Sequence, residues 1–84
     1  MDQKILKQYE GLRRRLARVR TEAAIQNVDH VSSVLKMSKE IGIGLSALNW
    51  FINNTRDIRL KTFGLISRYV IRMEKELGII QPKD

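Results

Sequence analysis

The stretch Val34–Asn54, VLKMSKEIGIGLSALNWFINN, limits the possible folds of this chain more than any other part of it. It holds two short helical patterns separated by a tight turn. The first ends at Gly42, because glycine enters the left-handed conformation without a Cβ clash. The second runs from about Leu45 to Asn53, and Asn54 suits the left-handed position that follows. Met37, Ile41, Ile43, Leu48 and Phe51 occupy positions that must point inward, which locks the two helices at a fixed crossing. Ser38 is small where the first helix approaches the second.

The rest of the chain is helical too. β-Branched alternation is scarce, Pro82 is the only proline, and apolar residues recur at steps of three and four. From about Asp2 to Asn27 the stripe is Ile5, Tyr9, Leu12, Leu16, Val19 and Ala23. Gly11 weakens this helix by about 1 kcal/mol relative to alanine. Asn27 and Asp29 offer turn and cap chemistry, and the next helix runs from His30 or Ser33 to Ile41, with Asp29 and Ser33 as rival N-caps. After the loop TRDIR, a last helix from about Leu60 to Leu77 carries Phe63, Ile66, Val70, Met73 and Leu77 on one face. Gly78 ends it, and Ile79 is placed to fold back onto it. The expectation is one all-α domain over 1–84. It comprises a long N-terminal helix over 2–27, a helix-turn-helix over 30–54 and a C-terminal helix over 60–77.

Composition narrows the function. Eighty-four residues bury only a small core, so self-association is a plausible source of added stability. Sixteen Lys and Arg against nine acids give a net charge of +7, which favours phosphate-bearing partners and ranks nucleic acid first. There is no cysteine, which fits a reducing compartment. The opening MDQKILKQYE lacks the apolar core of a signal peptide, and no apolar run nears the roughly 20 residues of a membrane span. A soluble, cytoplasmic protein with no membrane partner is expected. His30 is alone, with no Cys or second His to complete a zinc site. Glu40 and Glu74 read as surface helix positions, and no nucleophile–base pair or phosphate loop stands out. Neither an enzyme nor a cofactor is implied.

A helix-turn-helix in a small basic chain points to DNA, with the second helix in the major groove. The run MSKEIGIGLSALNWFINNTRDIRLKTFGLISRYV resembles the DNA-binding domains of the lambda-repressor and Cro class of phage, plasmid and bacterial regulators. The resemblance covers about residues 33–71. Three features depart from that pattern: Val34 replaces a phosphate-binding glutamine, Ser38 replaces an alanine, and Asn54 and Ile58 replace a glycine and a proline.

By position, the resemblance implies that Gly44, Leu45, Ser46, Asn49 and Trp50 face the groove while Leu48 and Phe51 face the core. Ser46 would cap the helix, bond a phosphate or touch a base. Asn49 would make a bidentate bond to adenine, and Leu45 and Trp50 would press on thymine methyls. Phosphate contacts would come from Asn53, Thr55, Arg56, Arg59 and Lys61, with Lys36 and Lys39 on the preceding helix as further candidates.

Plainer readings stand beside these. Trp50 is a core residue, a groove contact or a dimer contact; Asn49 is a base reader or a solvated amide; Leu45 packs or touches a base. The cluster Arg13, Arg14, Arg15, Arg18 and Arg20 is a solvated face, or a flank that touches DNA or a polymerase. The stripe of the first helix is a packing face or a coiled-coil seam. Its second half is assigned to internal packing, and Ile5, Tyr9 and Leu12 are the candidates for dimerisation.

The expected function is a dimeric transcriptional regulator, a repressor first, that reads a palindromic duplex. The alternatives are an activator contacting RNA polymerase, an antitoxin or adaptor binding an acidic partner, and a non-specific nucleoid or RNA binder.

Overall fold

The computed structural model describes the backbone of residues 3–79 and the side chains from Lys7 onward. Five helices follow one another: α1 (Gln3–Ile25), α2 (Asp29–Ser32), α3 (Val34–Ile41), α4 (Leu45–Asn53) and α5 (Leu60–Leu77). No strand occurs among the described residues, so the chain is all-α. None of these helices is long and apolar enough to cross a membrane.

Four helices stop by one local device. Asn27, Gly42, Asn54 and Gly78 take left-handed conformations, with φ of 59°, 86°, 55° and 72°. The next residue then donates its N–H five residues back: Val28 to Ala23 (2.8 Å), Ile43 to Ser38 (3.1 Å), Thr55 to Trp50 (3.1 Å) and Ile79 to Glu74 (2.8 Å). These bonds satisfy carbonyls that a helix end leaves open. In three of the four cases the donor is apolar, and Val28, Ile43 and Ile79 all pack back onto the core. Helix stops and re-entry of the chain are thus written in the same dipeptides.

The segment expected as one helix before Gly42 is two. Ser33 is extended, with φ −83° and ψ 122°, and separates α2 from α3. Its hydroxyl accepts from the Lys36 N–H at 3.4 Å, so Ser33 is the N-cap of α3. Asp29 is no cap: it is the first residue of α2, and Val28 before it makes no side-chain capping bond.

One hydrophobic cluster draws on every helix. Leu12, Leu16, Val19 and Ala23 of α1 meet Val31, Met37, Leu48, Phe51, Ile66, Val70 and Met73. Each fully buried large side chain contributes about 1.5–3 kcal/mol. The α1 stripe is therefore an internal packing face. Tyr9 belongs to it, with its ring 4.8 Å from that of Phe63 and edge-on to Phe51, and its hydroxyl donating to the Ile58 carbonyl at 3.3 Å. Tyr9 and Leu12 are 9% and 4% exposed. This corrects their assignment as dimer contacts, since both are already covered from within. The Ile5 side chain lies outside the described residues.

At the far end of α1, Gln26 donates to the Leu77 carbonyl at 3.0 Å, so α1 and α5 run side by side in the same direction. Helix α3 touches α2, α4 and α5, which leaves α4 with an inner face on the core and an outer face free.

Candidate nucleic-acid interface

Helix α4 is anchored by two residues three apart, Leu48 and Phe51, which are 0% and 1% exposed. Helical spacing puts Ser46, Asn49, Trp50 and Asn53 on the opposite side. Ser46 and Asn53 are exposed, and Asn49 and Trp50 are half-buried. Leu45, at 39% exposure, stands at the start of the same face. The N-cap is Gly44, which is exposed and extended and has no side-chain cap. Ser46 is therefore not the cap, which corrects one of its three expected roles, and its hydroxyl is left for solvent or a ligand. The face carries no charge.

Trp50 is not a core residue. The guanidinium carbon of Arg56 sits 4.4 Å from its ring centroid, in cation–π range, so the loop after α4 folds back over the helix. Beside this pair is an open groove of about 440 Å³, bordered by Ala47, Ile58, Arg59 and Thr62. Thr55, Arg56, Arg59 and Lys61 are all exposed, and Arg56 and Arg59 form a basic margin on the groove beside Trp50. Asp57 is the acid within that margin. Lys36 and Lys39 are also exposed, but they stand on α3, and no hydrogen bond or ion pair joins them to the α4 set among the described residues.

The arginine cluster of α1 divides into separate roles. Arg13 reaches across to the last turn of α4: its Nε donates to the Phe51 carbonyl at 2.7 Å and its Nη2 to Asn54 Oδ1 at 3.2 Å. Its guanidinium carbon also lies 5.1 Å from the Phe51 ring centroid. A cation on the Phe51 carbonyl suits the negative end of the helix dipole. Sequence reasoning missed this positioning role. The available signal was that Arg13 follows Tyr9 by four residues and so rims the packing stripe.

Arg15 instead forms a two-pronged ion pair with Glu74, at 2.6 and 3.0 Å. Hydrogen bonding to Glu74 holds the Arg15 pKa above its ordinary value, against the opposing effect of burial. Glu74 is 5% exposed, which corrects its reading as a surface position. Arg20 is half-buried, and only Arg14 and Arg18 remain exposed. The cluster is therefore neither a uniform solvated face nor a uniform flank. Glu40 stays on the surface, paired with Arg72 at 3.0 Å.

Among the described residues, no group of His, Asp and Glu is gathered to hold a metal ion. The arrangement offers an uncharged helix face with amide, hydroxyl and indole groups, bordered by cations. Comparison with family models, with curated proteins and with solved structures yields no match to this chain.

Proposed function

We propose that this chain is a sequence-specific double-stranded DNA-binding regulator of the lambda-repressor and Cro type, with α3, the turn at Gly42 and α4 as its helix-turn-helix. One observation carries the reading. The outward face of α4 is uncharged and rich in hydrogen-bonding groups, while exposed cations line its margin. Base edges call for the first kind of surface and phosphates for the second. In this reading Asn49 reads a base, Ser46 and Leu45 lie against the groove, and Arg56, Arg59 and Lys61 take backbone phosphates. Arg56, stacked on Trp50, ties the phosphate margin to the reading face. A repressor working in the cytoplasm would cover a promoter with two subunits on a palindrome, half-sites one helical turn apart.

Selection of bound duplexes from a random pool, followed by affinity measurements on the winning site, tests this. Asn49→Ala should relax preference at one or two bases, by about 1–3 kcal/mol of discrimination. Arg56→Ala should weaken every duplex alike and flatten the log–log salt dependence by about 0.9. Retention of both sequence preference and salt slope in the two variants would refute the placement of the reading helix.

A further inference from the structure

The outward face of α5 has a composition that DNA reading does not use. Leu60 and Ile71 are 75% and 43% exposed, although both are large and apolar. They lie eleven residues apart, about 16 Å along the helix, and Gly64 and Ser67 fall between them on the same face. Gly64 and Ser67 are half-buried and a Cβ built on Gly64 meets nothing within 4 Å, so the middle of the stripe is a shallow seat between two apolar shoulders. Beside it runs a row of exposed cations, Lys61, Arg68 and Lys75, at seven-residue spacing. No ion pair is made by these three among the described residues. The acids of α5 are Glu74, which is buried against Arg15, and Glu76 in its last turn.

We propose that this face is a docking site for an acidic amphipathic helix, which would lay apolar side chains over Gly64 and Ser67 and carboxylates along Lys61, Arg68 and Lys75. Charge decides the occupant. An antiparallel second copy would fit by shape, with Leu60 over Ile71 and Gly64 over Ser67 of the other copy. The same pairing sets Lys61 beside Arg68 of that copy, twice by symmetry, and like charges at such positions repel. An acidic helix meets the same row with opposite charge and keeps the apolar contact. The proposal is independent of the α4 reading, because the seat is on another helix and Lys61 is the only residue common to both.

Fluorescence anisotropy of the full chain tests it with a labelled peptide of about 18 residues, five helical turns. The peptide carries leucines at three- and four-residue steps, flanked by glutamates. A scrambled peptide of the same composition is the control. The amphipathic peptide is expected to bind at least about tenfold more tightly than the scrambled one. Gly64→Gln, which puts a side chain where a Cβ meets nothing within 4 Å, and the double variant Arg68→Glu with Lys75→Glu should each abolish that preference. Gly64→Gln should leave duplex affinity at the wild-type value and unfold no lower than wild type, because a helix-interior glycine is replaced, and the double variant should keep the wild-type helical content.

Equal binding of the two peptides, no binding of either, or unchanged binding by Gly64→Gln would overturn the proposal. It also falls if the chain self-associates in sedimentation and Gly64→Gln makes it monomeric, for then a second copy is the occupant. Displacement of the peptide by random duplex, with weaker duplex binding in the uncharged variant Gly64→Gln, would assign the face to nucleic acid instead. Loss of the peptide result with sequence-selective DNA binding intact would refute this inference alone.

Discussion

Arg13 holds the C-terminal end of α4 from a different helix, and replacing it by methionine isolates that contact. Methionine keeps most of the aliphatic stem and removes the guanidinium. The bond from Nε to the Phe51 carbonyl is short, at 2.7 Å, and half-buried. A charged hydrogen bond of this kind contributes about 1.5–3 kcal/mol. Contact with the Phe51 ring at 5.1 Å adds about 0.5–1 kcal/mol, and the exposed bond to Asn54 only a few tenths. Some of this returns when water solvates the freed carbonyl, so Arg13→Met should cost about 2–3 kcal/mol.

In a domain of this size that loss lowers the thermal midpoint by about 10–20 °C. Arg14→Met is the control, one residue along and exposed, and should shift stability by no more than about 0.5 kcal/mol. Hydrogen exchange should localise the difference, with protection falling first in the last turn of α4. Arg13→Lys should recover part of the loss, since an ammonium restores the charge without the fork. If Arg13→Met unfolds at the same temperature as Arg14→Met, the crossing contact does not hold α4, and the reasoning fails.

Two further outcomes follow from buried groups and open helix positions. Burial, with help from nearby Glu40, pushes the Tyr69 hydroxyl from 10.0 up to about 12, so the folded state keeps a proton that the unfolded chain has lost. Its contribution is complete below about pH 10 and lost as pH rises toward 12, at about 1.4 kcal/mol per pH unit. Tyr69→Phe should abolish this share of the alkaline fall in urea-melt stability and also discard a buried hydroxyl that has no hydrogen-bond partner among the described residues. An identical alkaline profile in the two proteins would exclude Tyr69 as the source. Gly11→Ala should stabilise by about 1 kcal/mol, because the position is helical and a Cβ there meets nothing within 4 Å. A lower midpoint in calorimetry would contradict it.

Much of the architecture is legible in local residues because local chemistry sets it. The stops at Gly42, Asn54 and Gly78 follow from a left-handed residue and a single backward hydrogen bond, both within one turn of helix. The inward set Met37, Leu48 and Phe51 follows from periodicity, and so does the α1 stripe. The break at Ser33 was not legible, because Asp29 and Ser33, four residues apart, read as rival caps of one helix rather than as the start of one helix and the cap of the next. A serine that caps one helix also ends its neighbour.

By itself, then, the sequence determined an all-α chain, its helix stops and the inner and outer faces of α4, since each of these depends on residues less than two turns apart. Only the tertiary structure decided what the long polar side chains do. Arg13 grips α4, Arg15 takes Glu74 out of solvent, and Arg56 covers Trp50. It also assigned Tyr9 and Leu12 to the core rather than to a seam. The reason is reach and packing. A guanidinium extends well beyond its own helix, so its partner is whatever the packed neighbour presents, and periodicity along one helix carries no information about that neighbour.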